Sequence, residues 1–298
     1  MKSKIIRYDC LLFLTAAIWG FAFVAQRLGM KYVGPFIFNG VRFALAALVL
    51  SPFVLVRRFK FGYGWTGKRR HVLVSGFSAG LFLFIASSLQ QVGVVYTTAG
   101  KAGFITGLYV VIVPMAGFFW KRRVGWRTWL GAVLAVTGLY LLSIAGGLRL
   151  VKGDILVFAG AFFWAGHVLL IGSFSKSIDP LILAFIQCAV CSLLSLAVSI
   201  FTEVISLNSL YLAAVPIIYG GVFSVGVAYT FQILAQRHTP AAHASIIMSF
   251  EAVFAVLGGW LILGEVLSVR GIAGCTLMFA GMIISQLGVI AERRKGKA

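Results

Sequence analysis

Apolar runs long enough to cross a bilayer follow one another along the whole of this 298-residue chain, and the stretches between them are too short to fold as a soluble domain. A membrane-spanning helix needs about 20 predominantly apolar residues. Ten such runs can be laid out, at approximately 8–29, 35–56, 71–93, 97–119, 127–146, 153–173, 180–201, 210–235, 240–263 and 271–291. Composition agrees: 61% of the residues are hydrophobic and 11% charged, against about 45–50% and about 25% in soluble domains. The chain reads as an all-α integral membrane protein of ten transmembrane helices. Its start, MKSKIIR, has the basic character of a signal peptide, but the apolar run continues through Trp19 without an Ala-x-Ala site and is read as the first helix.

The net charge of +19 would suggest nucleic acid in a soluble protein. Here the basic residues sit in short connections between spans, where they act as topology signals. With the N-terminus inside, nineteen of the 26 Lys and Arg residues fall on the cytoplasmic side. Five fall outside (Arg27, Lys31, Arg149, Lys152 and Arg270), and Arg42 and Lys101 lie within spans. This bias predicts cytoplasmic termini and a lipid bilayer, not nucleic acid, as the partner. The four cysteines all lie in apolar spans, and Cys188-x-x-Cys191 reads as packing residues on one helix face.

The two halves repeat. AAIWGFAFVAQR around Trp19 matches AFFWAGHVLLIG around Trp164 at an offset of 145, which also pairs Pro35 with Pro180 and Arg42 with Gln187. TTAGKAGFITGLY matches TPAAHASIIMSFE at an offset of 142, pairing Lys101 with His243 and Tyr109 with Glu251. Gly131 and Gly138 fall over Gly274 and Gly281. Five helices per unit is an odd number, so the second unit enters the membrane from the opposite side. These are expected to be inverted repeats, a construction associated with alternating-access carriers.

Glu251 stands near the middle of the ninth span, where a carboxylate costs about 2.5–3.5 kcal/mol on insertion scales. Two readings follow: a group that takes up a proton or binds a substrate ammonium, or a carboxylate tied by hydrogen bonds to a neighbouring helix. Helical spacing puts Lys101, Ile105 and Tyr109 on one stripe and His243, Ile247 and Glu251 on its repeat equivalent. Lys101 can snorkel to the outer face, and His243 can serve a substrate or a helix end. Trp19 and Trp164 lie mid-span, away from the interfacial belts, and are expected to form cavity walls. Asn39 and Arg42 share one face and are assigned a structural role at helix-end carbonyls. Gln90, Gln91, His167, Gln187, Tyr229 and Gln232 are weaker candidates. Gly76-x-x-x-Gly80, Gly103-x-x-x-Gly107 and the Gly131/Gly138 pair read as close helix contacts. There is no phosphate-binding loop, no metal-ligand spacing and no nucleophile–base set, and with seven acidic residues an enzyme is not expected.

Two five-helix units, each opening with a mid-helix Trp, and a Pro ahead of the helix containing Arg42-Phe43 resemble the EamA type of the drug/metabolite transporter superfamily. SFEAVFAVLGGWLILGEVLSVRGIAG, which covers Glu251 and Leu263-Gly264-Glu265, is similar to that family's hallmark at the end of the second repeat. The chain departs from the pattern twice. Trp120-Lys121-Arg122-Arg123 stands where the second half has Glu265, and Ala252 follows Glu251 where the family often has proline.

The resemblance implies EamA-like units at 1–148 and 149–298, with a central cavity walled by the third, fourth, eighth and ninth helices among others. It implies no cofactor and no metal. The expected function is secondary active export of a small organic metabolite, amino-acid-like, across a bacterial inner membrane, driven by a proton gradient or by exchange. The expected cavity residues are Trp19, Trp164, Lys101, Tyr109, His243 and Glu251, with Glu251 the coupling candidate. The alternatives are a multidrug efflux pump for cationic apolar compounds and a scaffold or sensor that transports nothing.

Overall fold

Lipid offers no partners to backbone N–H and C=O groups, so a chain this apolar satisfies them internally, as helices. The computed structural model describes residues 2–61, 69–119, 125–143, 151–266 and 269–294. The first half holds α1 (Lys2–Gly29), α2 (Pro35–Phe61), α3 (Arg69–Tyr96), the split pair α4 (Ala99–Gly107) and α5 (Tyr109–Phe119), and α6 (Trp126–Ser143). The second opens with α7 (Lys152–Phe174), α8 (Pro180–Thr202), the short α9 (Leu207–Leu212) and α10 (Ala214–Ile218). A π-helix (Tyr219–Val227), α11 (Ala228–Gln236), the split pair α12 (Ala241–Met248) and α13 (Glu251–Leu263), and α14 (Val269–Arg294) complete it.

Among the described residues, eight helical stretches are long and apolar enough to cross a membrane. The expected spans at 127–146 and 271–291 fall on α6 and α14. The Trp120–Arg123 segment and the orientation signals Lys68, Arg149, Lys295 and Lys297 lie outside the described residues. The eighth span begins later than expected: α9 is a separate element with no buried residue, and the apolar stretch runs Ala214–Gln236.

Polarity is distributed the opposite way from a soluble domain. Leu48, Phe53, Leu193, Phe201 and Leu261 are exposed, while Gln26, Asn39, Arg42, Gln91, His167, Gln187, Gln232 and Glu251 are buried. Such a surface is stable against acyl chains, and the polar side chains turn inward to find partners. The chain is a multi-pass membrane protein.

Paired helices set the architecture. α6 packs on α14, α2 on α8, α3 on α7, and α1 on the π-helix, α11 and α13. Small residues permit this approach: a Cβ at Gly281 would stand 2.7 Å from the Gly131 carbonyl, and one at Gly80 would meet Val190 at 2.6 Å. Gly76 lies against Ile186 and Gly103 against Ala255, so these glycines are helix contacts as expected. Gly264 differs. It takes left-handed backbone (φ 69°, ψ 22°), and the Gly264 and Glu265 amides both return to the Gly259 carbonyl. Leu263-Gly264-Glu265 is therefore a helix stop, closed where glycine pays no Cβ penalty.

Two helix starts show one requirement met in two ways. Asp179 precedes Pro180 and caps α8 locally, accepting from the Leu181 amide at 2.9 Å. The equivalent residue before Pro35 is Gly34, which has no side chain to offer. Glu203, from the end of α8, supplies the carboxylate instead, accepting from the Phe36 and Ile37 amides at 2.9 and 2.7 Å.

The fourth and ninth spans, expected as continuous helices, are each broken near the middle. At Leu108 and Phe250 the amide reaches back three residues, to Ile105 and Ile247, and the ladder tightens for one turn. Pro114, one turn beyond the first break, removes a further amide. Before the second break the Ser245 and Ser249 hydroxyls bond to the Ala242 and Ile246 carbonyls at 2.9 and 2.8 Å, competing with the helical ladder. Tyr109 and Glu251 each start the helix beyond a break.

Candidate functional site

Side chains from both halves line a small pocket inside the bundle, with a volume of about 30 Å³. α1 contributes Trp19, Ala22, Phe23 and Gln26, a single stripe at helical spacing. Opposite it stand Trp164 and Val168 of α7, Ser224 and Val225 of the π-helix, and Tyr229 and Gln232 of α11. Arg42, Gln90, Thr106, Tyr109 and Glu251 complete the lining.

Hydrogen bonds fix the aromatic walls. Trp19 Nε1 donates to the Ser224 carbonyl at 2.9 Å, a carbonyl held in the irregular ladder of the π-helix. Trp164 Nε1 donates to Gln90 Oε1 at 2.8 Å, and Gln90 Nε2 donates in turn to Gln26 Oε1 at 3.1 Å. Thr106 Oγ1 shares the same Gln90 oxygen at 3.4 Å. Tyr229 is the hub: its ring centroid lies 4.9 Å from Trp19, and 6.3 Å from Trp164 in a near-parallel stack. Behind this wall His167 presents its edge to Trp164 and Tyr229 and bonds to Gln187 Oε1 at 2.9 Å.

An acidic and a basic side chain line the same cavity. Glu251 and Arg42 are 4% and 3% exposed. The Arg42 guanidinium lies 5.2 Å from the ring centroids of both Phe38 and Phe43, a cation–π arrangement. Gly220 and Gly221 let the π-helix close on α2 beside it, where a Cβ at Gly221 would meet the Arg42 carbonyl at 2.9 Å. Glu251 neighbours Tyr109 without completing a hydrogen bond. Among the described residues, five buried polar atoms of the lining have no hydrogen-bond partner: Arg42 Nε, Tyr109 Oη, Gln232 Nε2, Gln232 Oε1 and Glu251 Oε1. Buried polar atoms are normally paired, and a cluster of unpaired ones facing a cavity calls for a polar occupant.

The sequence-predicted residues separate into two groups. Trp19, Trp164, Tyr109 and Glu251 converge on the cavity. Lys101 and His243 do not, because each lies two turns back along its half-helix. Lys101 Nζ stands 3.9 Å from Asp154 Oδ2, and His243 Nε2 stands 3.2 Å from Asp9 Oδ1. Arg42, assigned to helix-end carbonyls, lines the cavity instead, since Phe38 and Phe43 hold its side chain inward. Asn39 is fully buried away from the cavity, and neither amide atom has a partner among the described residues.

Gln26, Thr106 and Ser224 were not singled out in the sequence, although Gln26 sits two turns from Trp19 and Thr106 one turn from Tyr109. Extending each stripe by a turn finds both. Nothing in the sequence marks Ser224, whose contribution is a carbonyl. Among the described residues no three His, Cys, Asp or Glu side chains converge as a metal ion would require.

Comparison with known proteins agrees with this architecture. A solved crystal structure with 19% sequence identity superposes with a TM-score of 0.75, covering 94% of this chain and 96% of that one, and so shares the fold. An uncharacterized transporter of Archaeoglobus fulgidus is 33% identical over 283 residues, 94% of this chain and 86% of its own. The uncharacterized inner membrane transporter YedA of Escherichia coli is 26% identical, over 92% of this chain and 89% of its own. The EamA-like transporter family matches twice, over residues 6–144 and 151–287, and the chain belongs to that family.

Proposed function

We propose that the protein is a secondary transporter that exports a zwitterionic, amino-acid-like metabolite by alternating access. It has ten membrane-spanning helices in two inverted five-helix repeats, 1–148 and 149–298, in a plasma membrane of bacterial inner-membrane type with both termini cytoplasmic. The double family match and the pairing of α2 with α8 and α6 with α14 support the repeat reading.

The observation that carries the substrate class is the presence of Arg42 and Glu251 in one aromatic-walled cavity, five of whose buried polar atoms lack partners among the described residues. A substrate carboxylate pairs with the Arg42 guanidinium, which offers several donors in one plane. Its ammonium pairs with Glu251, and Gln232 and Tyr109 supply neutral hydrogen bonds. The substrate's apolar portion lies against Trp19, Trp164 and Tyr229, whose ring centroids stand 4.9, 6.3 and 6.5 Å apart.

The same carboxyl accounts for coupling. A proton and a substrate ammonium both satisfy Glu251, so they compete, and loading from one side displaces the proton taken from the other. A pump for cationic apolar drugs fits less well, because Arg42 would face its cargo with like charge.

A thermal-shift screen of the purified protein tests this reading, since a ligand that binds the folded state stabilises it by about 2.7 kcal/mol at a hundred times its dissociation constant. Apolar and aromatic zwitterions are expected to raise the melting temperature, and their esters and decarboxylated amines to fail. Stabilisation by amines alone would favour the drug pump. Stabilisation by no metabolite, with no flux in sealed vesicles, would favour a scaffold or sensor.

A further inference from the structure

Among the described residues, Lys101 with Asp154 and His243 with Asp9 form two polar pairs outside the cavity, at positions equivalent under the repeat. The 145-residue offset that relates Trp19 to Trp164 also relates Asp9 to Asp154, and the 142-residue offset relates Lys101 to His243. Each pair crosses the boundary between the halves: Lys101 of the first bonds to Asp154 of the second, and His243 of the second to Asp9 of the first. In each, an acidic side chain near the start of one half's leading helix, α1 or α7, meets a basic side chain in the first turn of the other half's split pair, α4 or α12. Asp9, Asp154 and His243 are buried, and Lys101 is partly so.

The half-helices make these pairs more than surface ties. The nine residues of α4 carry Lys101 in their first turn and end at the break before Tyr109, and the eight of α12 carry His243 in theirs and end at the break before Glu251. Each is a rigid arm with an ion pair at one end and a cavity residue just past the other. The neighbourhoods also correspond: α4 packs on α7, α13 and α6, as α12 packs on α1, α5 and α14. At the first pair Asp154 also accepts from Thr97 Oγ1 at 2.6 Å and from the Val151 amide at 3.1 Å, and Arg27 ties α1 to the Thr97 carbonyl. At the second, Tyr8 stacks on His238 with centroids 4.4 Å apart.

We propose that Asp154–Lys101 and Asp9–His243 are the two gates of the transport path, one at each membrane face, and that each half-helix links its gate to the cavity. Both pairs are formed in the described structure, so both gates stand shut under this proposal. Opening one face parts one pair and swings one half-helix about its break. A ligand drawn between Tyr109, Glu251 and Arg42 pulls on the inner ends of both arms, and so reaches both gates. The proposal rests on the reading of the cavity as a transport site. The positive-inside arrangement places Asp9–His243 at the cytoplasmic face and Asp154–Lys101 at the opposite one.

The test needs no substrate. A single cavity cysteine, Ser224→Cys, is introduced into full-length protein whose four native cysteines are replaced, and a membrane-impermeant maleimide is applied to either face of sealed vesicles. Lys101→Gln is expected to raise labelling from the outer face on the order of fivefold, with little change from the cytoplasmic face. His243→Gln is expected to do the reverse. Exchanging partners, as Lys101→Asp with Asp154→Lys and as Asp9→His with His243→Asp, should return labelling to the starting level. If a Gln variant does not fold, Asp154→Asn and Asp9→Asn probe the same pairs from the acidic side.

Two folded variants that raise labelling from the same face, or from neither, would overturn the proposal. So would exchanges that leave labelling high in folded protein. Because labelling requires no ligand, it can fail while the zwitterion reading stands, and the ligand screen can fail while the gates stand.

Discussion

Arg42 and Glu251 carry most of the specificity proposed for the cavity, so their substitutions have the sharpest expected effects. Lysine cannot reproduce a planar guanidinium braced between two phenylalanines. Arg42→Lys is therefore expected to weaken zwitterion binding about tenfold. Arg42→Gln, which leaves a substrate carboxylate buried without a counter-charge, costs about 2 kcal/mol or more. Calorimetric titration of the ligand found by thermal shift checks both. Trp19→Phe keeps the wall and loses only the bond to Ser224, a change of about 0.6 kcal/mol by the measure of other membrane hydrogen bonds. Trp19→Ala removes the wall, and binding should be lost.

At this scale sequence patterns found some residues and not others for a clear reason. Mid-span Trp19 and Trp164 and the buried acid Glu251 are conspicuous because each is costly or unusual at its depth. Depth along a helix is not direction around it, however. Lys101 and Tyr109 share a stripe, yet one pairs with Asp154 and the other lines the cavity. Arg42, expected at helix-end carbonyls, lines the cavity with its guanidinium beside Phe38 and Phe43 of its own helix, a placement evident only once α2 is packed.

Among the elements, the split pairs and the capped helix starts give separate tests. Glu203→Ala uncaps α2 and is expected to lower stability by about 1 kcal/mol while leaving ligand affinity unchanged. In that background Gly34→Asp should restore much of the loss, because it recreates the local cap that Asp179 gives α8. Thermal denaturation of the three proteins checks both statements. Gly20→Leu should be far worse: even a Cβ there would stand 2.6 Å from the Glu251 carbonyl, so α1 would be forced off α13 beside the cavity. Spans were legible because a bilayer demands a long apolar run and little else imitates one. The breaks were not. The residues around Leu108 and Phe250 stay apolar across the discontinuity, and only backbone bonding and the Ser245 and Ser249 hydroxyls reveal it. The Glu203 cap was invisible because it joins residues 167 positions apart.

For the molecule as a whole, an inside-out distribution of polarity and a twice-matched family describe a membrane transporter of the EamA family, with a cavity lined by Arg42 and Glu251 inside it. Reporter fusions should place both termini in the cytoplasm, as the basic residues predict. One terminus on each side would remove the inverted-repeat reading and the assignment of gates to faces. The fold was legible at this scale because punctuation such as Pro35/Pro180 and Trp19/Trp164 survives when identity between the halves does not. Substrate was not, because it depends on how seven spans place a few side chains around one space.

The central claim is that Glu251 couples zwitterion movement to a proton, and flux in proteoliposomes under an imposed pH gradient tests it directly. Wild-type protein is expected to drive net movement of the zwitterion identified by the ligand screen. Glu251→Gln preserves shape and cannot take up the proton, so a folded variant should lose gradient-driven flux and its dependence on pH. A folded Glu251→Gln protein that transports at the wild-type rate with unchanged pH dependence would contradict the claim.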